Sequence, residues 1–68
     1  MTELSEHMIG REYQATLNDG SVVMGKCISY IPAKDNDPEV DSIWIETEGG
    51  NINELFLPNI QQVECIKL

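Results

Sequence analysis

The residues with the clearest capacity for chemistry lie in the stretch AKDNDPEVD, residues 33–41. Carboxylates occupy every second position of it: Asp35, Asp37, Glu39 and Asp41. A calcium-binding loop spaces its oxygen ligands in this way and ends on a glutamate at its twelfth position. Counted from Asp35, that position is Glu46. The spacing therefore raises a cation site as the first hypothesis.

Two residues in the same stretch argue against a calcium site. The sixth position of such a loop makes a sharp turn and is normally glycine, whereas here it is Val40, a β-branched residue. Glu46 belongs to the segment SIWIET, whose alternation is typical of a strand, and no helices flank the loop. We therefore predict a solvated loop without a specific metal site, where cations bind weakly and opportunistically.

Other residues offer less chemistry. His7 is the only histidine, and it is far in sequence from Cys27 and Cys65. The glycines of EGG, residues 48–50, lack the lysine and the following helix of a phosphate-binding loop. We expect no catalytic residues, no metal and no cofactor, and hence a protein that is not an enzyme.

Length and charge narrow the function classes. The 68 residues predict one small domain, 1–68, and the formal net charge is −8, with basic residues scattered along the chain. Nucleic-acid affinity comes mainly from cationic groups that neutralise phosphates, so duplex binding is not expected. The acidity either keeps a small apolar-rich protein soluble or suits a basic protein partner.

The two cysteines lie inside apolar runs rather than in metal-ligand pairs, which predicts buried, reduced thiols in a cytoplasmic protein. The amino-terminal residues MTELSEHMIGREY have no basic or apolar region of the kind that a signal peptide has. No run approaches the roughly 18 apolar residues of a membrane span. We expect no membrane partner.

Hydrophobic periodicity predicts one helix followed by five strands. Residues 2–9 suit a short amino-terminal helix with Thr2 as its N-cap and Gly10 just past its end. From there the period becomes two, and short strands are separated by turn signals. The strands are YQATL, SVVMGKCISYI, SIWIET, INELFL and QQVECIKL. The turn NDG before the second strand suits a tight hairpin with a positive φ at Gly20.

These elements predict a mostly β fold, a small five-stranded bent antiparallel sheet or barrel with a short helix at its amino terminus. Gly25, inside the second strand, marks a bend, a bulge or a close backbone contact. In the third strand Ile43 and Ile45 share one face and Trp44 takes the other. We favour the arrangement with the isoleucines inside, although the reverse is also consistent with the pattern.

The order of elements resembles that of the Sm-like (LSm) proteins over nearly the whole chain. The first motif of that family falls on Leu17, Gly20, Gly25, Cys27 and Tyr30, and the second on Phe56, Leu57, Ile60, Val63 and Ile66. A generic SH3-like barrel shares several of these positions. The resemblance implies a non-catalytic homo-oligomeric ring of roughly five to seven subunits, in which the fourth strand of one subunit pairs with the fifth strand of the next.

The residues of the last two strands also favour such an assembly. Both faces of this pair carry apolar side chains, more than one small barrel can enclose. The predicted interface residues are Leu55, Phe56, Leu57, Val63, Cys65 and Ile66.

By resemblance the setting is RNA metabolism. The family's RNA-binding aspartate and asparagine fall here on Ile31 and close to Lys34, and its arginine–glycine pair on Pro58 and Asn59. The candidate contacts to single-stranded RNA that remain are Lys34, Asn36 and Asn59. The alternative is an acidic protein–protein interaction module, monomeric or ring-forming, that binds a basic protein and has no RNA role.

Overall fold

A computed structural model describes residues 3–67. Its strands are β1 (Glu12–Leu17), β2 (Val22–Ile31), β3 (Ser42–Glu46), β4 (Ile52–Phe56) and β5 (Ile60–Lys67). They form one antiparallel sheet in the order β4-β3-β2-β1-β5. The prediction of a mostly β fold built on a bent five-stranded antiparallel sheet is confirmed. The sheet is bent but open, because β4 and β5 are its two outer strands.

The predicted amino-terminal helix is a single 3-10 turn, Glu6–Met8, and residues 3–67 contain no α-helix. A first helical turn orders several residues for one hydrogen bond, so a segment this short does not propagate. Ile9 is already extended, and Gly10 takes a φ of +93° just after it. The turn serves packing instead, since Leu4 and Met8 are buried in the core. The proposed cap, Thr2, lies outside the described residues.

The hairpin of β1 and β2 has the predicted turn. Gly20 has a φ of +89°, a conformation that glycine adopts without steric cost. The N–H of Leu17 donates to the Ser21 carbonyl at 2.8 Å, which closes the turn. Asp19 accepts hydrogen bonds from the hydroxyl and the backbone N–H of Ser21, at 2.6 and 2.9 Å. These bonds favour the carboxylate and lower the pKa of Asp19.

Strand β2 bends at Gly25 and pairs with two neighbouring strands. Residues 22–26 pair with β1, and residues 26–31 pair with β3. A Cβ atom on Gly25 would lie 2.2 Å from the carbonyl oxygen of Glu46 in β3. The bend therefore brings two backbones together at a distance that only glycine allows.

A β-bulge follows the bend. Cys27 pairs with Ile45 and Ser29 pairs with Trp44, so Ile28 is an extra residue in β2. Bulges increase local twist and bend the strand that contains them. Together with Gly25, this bulge folds the sheet over a single core.

Among the described residues, the core contains nine buried apolar side chains from the amino-terminal segment and all five strands: Leu4, Met8, Tyr13, Ala15, Cys27, Ile43, Ile45, Leu55 and Ile60. Ile43 and Ile45 are completely buried, whereas Trp44 is 37% exposed. The favoured orientation of the third strand is thus confirmed.

The prediction of two buried thiols is correct for Cys27 and wrong for Cys65, which is exposed. Cys65 lies near the end of an outer strand, and no other strand within residues 3–67 pairs with the open side of that strand. Neither cysteine forms a disulfide within residues 3–67. In the same range, no helix combines the length and the apolar composition that a bilayer-spanning segment requires.

Candidate functional site

The acidic loop, residues 32–41, is held in place by its own polar side chains. The Oδ1 atom of Asp41 accepts a hydrogen bond from the backbone N–H of Ala33 at 2.8 Å, which closes the base of the loop. The amide Nδ2 of Asn36 donates to the Val40 carbonyl at 2.7 Å and to the Ser42 Oγ at 3.0 Å. The amide nitrogen of Asn36 therefore stabilises the conformation of the loop.

The carboxylates of the acidic loop do not converge. Within residues 3–67, no group of three or more His, Cys, Asp or Glu side chains is placed to hold a metal ion. Asp41, one of the alternating acids, is directed at the backbone of Ala33. Calcium needs six or more oxygen ligands around one point, and this loop spreads its acids along an exposed segment.

Calcium should leave the melting temperature nearly unchanged. Binding with a Kd near the ligand concentration adds less than about 0.5 kcal/mol to the free energy of unfolding. A thermal melt with and without millimolar calcium, with excess chelator as the control, measures this. An increase of many degrees that Asp37→Asn abolishes would show that the acidic loop is a calcium site after all.

A polar chain joins the acidic loop to β4. Ser42, which is completely buried, donates from its Oγ to the Glu54 Oε2 at 3.0 Å and accepts from Asn36. Buried hydroxyls need such partners. Sequence reasoning missed this chain because its members are 6 and 12 residues apart in sequence. Only the strand register brings Ser42 and Glu54 together.

The connection between β4 and β5 is a 3-10 turn, Leu57–Asn59, held at both ends. The N–H of Leu57 donates to the Asp41 carbonyl at 2.8 Å. At the other end, Asn18 donates from its backbone N–H to the Asn59 carbonyl at 2.9 Å and from its Nδ2 to the Pro58 carbonyl at 2.7 Å. The turn thus lies between the acidic loop and the β1–β2 turn.

This arrangement places the candidate RNA contacts on neighbouring loops. Lys34 and Asn36 belong to the acidic loop, and Asn59 belongs to the turn that the loop contacts. Lys34 and Asn59 are exposed. A shallow depression of about 260 Å³ beside Asn59 is also lined by Leu17, Asn18 and Asp19. The surface around these residues presents hydrogen-bonding groups and the cation of Lys34, with carboxylates nearby.

The predicted interface residues divide into two groups. Leu55 is buried, and Leu57 and Val63 are half-buried against the core of their own chain. Phe56 is half-buried as well but is not among the residues packed against that core, and Cys65 and Ile66 are exposed, Ile66 at 45%. Of the predicted interface residues, these three side chains therefore stay accessible to another copy, together with the backbones of the outer strands.

Burial raises the pKa of three groups in the described residues, Tyr13, Cys27 and Tyr30. Burial raises the pKa of the Cys27 thiol, and its Sγ donates to the Ser29 carbonyl at 3.5 Å. Burial, followed by the charge and the hydrogen bond of nearby Asp41, raises the pKa of Tyr30. All three groups stay protonated at neutral pH. Cys27 therefore lacks the thiolate that a nucleophilic cysteine needs.

Comparison of the chain with protein-family models, with curated proteins and with solved structures finds no match.

Proposed function

We propose that the chain is a non-catalytic subunit of an Sm-like homo-oligomeric ring, in which β4 of one copy pairs with β5 of the next. The observation that supports this is the strand order β4-β3-β2-β1-β5, which leaves β4 and β5 as the two open edges of one sheet. An open edge presents unpaired N–H and C=O groups and readily adds another strand.

Pairing of these two edges is a head-to-tail contact, because different strands of each copy meet. Such contacts close into a ring when the rotation between copies divides a full turn. β5 runs over 8 residues and β4 over 5, so a continuous ladder can form along the whole of β4. Ile66 and Phe56 add apolar surface beside it.

Light scattering tests the proposed ring. Each chain has a mass of 7.6 kDa, and the Sm-like resemblance implies an assembly of roughly five to seven of them. A strictly monomeric mass at micromolar concentration would exclude a ring.

The proposed ring repeats Lys34, Asn36 and Asn59 around its axis, and by resemblance the ligand there is single-stranded RNA. Charge limits this interaction, since each copy contributes a formal charge of −8. Repulsion opposes RNA everywhere except where a symmetry-related set of lysines forms a local cationic surface. Lys34 is the lysine on the candidate loops.

Single-stranded oligo-U should therefore bind weakly, with strong salt dependence, and Lys34→Ala should weaken binding further. Removal of one phosphate contact lowers the slope of log K against log salt by about one. Lys26→Ala, which removes an exposed lysine from β2 instead, is the matched control and should change the slope less. Submicromolar binding at physiological salt that survives Lys34→Ala would contradict this assignment.

The second candidate function is an acidic interaction module for a basic protein, either as a monomer or as a ring. The observation that favours it is the partly exposed Trp44 beside carboxylates on the outer face of β3 and β4.

A further inference from the structure

Strands β3 and β4 carry an outward surface, here called the Trp44 face, that consists of Trp44, Glu46, Ile52 and Glu54. Trp44 lies directly opposite Glu54, and Glu46 lies directly opposite Ile52. All four are exposed, with Trp44 at 37% and Ile52 at 53%. Ile43 and Ile45 point the other way into the core. The face is thus an apolar centre between two carboxylates.

The distances within this face suit a cation. Directly opposite residues of an antiparallel pair have Cβ atoms about 4.5–5.5 Å apart, so the side chains of Glu54 and Trp44 start from neighbouring positions on this face. A tryptophan face attracts a cation within about 6 Å of its ring. A carboxylate beside the ring adds a charge-assisted hydrogen bond to the same cation.

Glu54 is held in place by other groups. Its Oε2 accepts the hydrogen bond of buried Ser42, and Ser42 accepts from Asn36. A site residue that is oriented by supporting hydrogen bonds loses less freedom on binding. This observation explains the polar chain between the acidic loop and β4, which otherwise ends on an exposed carboxylate.

Glu46 differs from Glu54 in its neighbours. Lys26 of β2 lies directly opposite Glu46. Glu54 is opposite Trp44 instead. A cation on the indole would therefore depend on Glu54 more than on Glu46.

We propose that the Trp44 face binds an arginine or lysine side chain from a basic segment of a partner protein, stacked on Trp44 and paired with Glu54. The charge of the chain, −8 overall, favours such a partner. The proposal rests on the second candidate function, the acidic module for a basic protein, and does not depend on ring formation, because Trp44 lies on β3, one strand in from the edge that would pair. RNA is disfavoured here, since Glu46 and Glu54 repel phosphates.

Intrinsic fluorescence measures this binding directly, because Trp44 is the only tryptophan. The probe is a peptide of alternating Arg and Ser, and a peptide of alternating Glu and Ser is its control. We expect a saturable change in Trp44 fluorescence with the basic peptide and none with the acidic peptide. A basic peptide that leaves the fluorescence unchanged would overturn the proposal.

Two amide variants separate this site from general attraction to an acidic protein. Glu54→Gln removes the charge and keeps an acceptor for Ser42, and it should weaken peptide binding about three- to tenfold. Asp19→Asn is the matched control, since Asp19 is also exposed and also accepts from a serine hydroxyl. It should change binding less than about twofold at physiological salt. Equal weakening by both variants would overturn the proposal.

The role of the indole is tested by calorimetry with the same peptide. Trp44→Phe keeps an aromatic ring and should bind more weakly than the natural chain, and Trp44→Leu should bind more weakly still. Circular dichroism shows whether each variant is folded. If Trp44→Leu is unfolded, the affinity of Trp44→Phe alone tests the role of the indole. Unchanged affinity in a folded Trp44 variant would overturn the proposal. So would oligo-U binding that quenches Trp44 and strengthens in Glu54→Gln, since the site would then be one for RNA.

Discussion

Gly25→Ala should leave much of the chain unfolded at room temperature. The new Cβ atom would lie 2.2 Å from the Glu46 carbonyl oxygen, 2.8 Å from its carbonyl carbon and 3.0 Å from the Ile45 Cγ2. Two of these three atoms belong to the backbone of β3, so no side-chain rotation relieves the clash. A forced separation of β2 and β3 costs about 2–4 kcal/mol. A domain of this size has only about 3–5 kcal/mol of stability from its core.

Gly49→Ala is the control for that substitution. Its Cβ atom would meet only the flexible Asn51 side chain, at 3.5 Å, which is an ordinary contact. The free energy of unfolding should change by less than about 0.5 kcal/mol. Urea titrations followed by circular dichroism measure both variants. If Gly25→Ala has the same midpoint as Gly49→Ala, the close approach of β2 and β3 is not a feature of the protein in solution.

The second large effect concerns assembly, where Ile66→Lys should convert the proposed ring into 7.6 kDa monomers. Ile66 lies on the open strand β5 and is 45% exposed in one chain, so a lysine there is tolerated by the fold. Against β4 of the next copy, an unpaired ammonium group would lose its water, at a cost of several kcal/mol. Because this cost recurs at every interface, the mass measured by light scattering should fall to that of the monomer.

Ile9→Lys makes the same chemical change at 48% exposure, on the segment before β1. It should leave the mass of the assembly unchanged. Leu55→Lys is unsuitable for this test, because Leu55 is buried in the core of its own chain and a lysine there would unfold the subunit. If Ile66→Lys stays fully assembled, the contact between copies lies elsewhere.

Features that depend on neighbouring residues were predictable from the sequence. Alternation in YQATL predicted a strand, in which Tyr13 and Ala15 are the buried residues, and the same rule separated Ile43 and Ile45 from Trp44. Gly20 marked the hairpin turn, where its positive φ is found. In each case the pattern lies within one strand or one turn, so the prediction did not depend on residues that are distant in sequence.

Features that depend on strand register were not predictable. The hydrogen bond from Ser42 to Glu54 joins residues that become neighbours only once β3 and β4 pair. Gly25 allowed for a bulge in β2, but its position at Ile28 was not predictable, because it depends on the fit between β2 and β3. The amino-terminal segment had helical periodicity, yet two buried contacts in a short segment are satisfied equally well by one 3-10 turn.

The turn Leu57–Asn59 has a geometric consequence for any closed assembly of this chain. Hydrogen bonds from Leu57 to Asp41 and from Asn18 to Pro58 and Asn59 fasten it at both ends. The turn joins the two outer strands, β4 and β5, and so restricts the angle between them. In a closed ring, the angle between the two edges of each subunit sets the number of subunits. In such an assembly, Asn18 would influence the curvature through its hydrogen bonds to this turn.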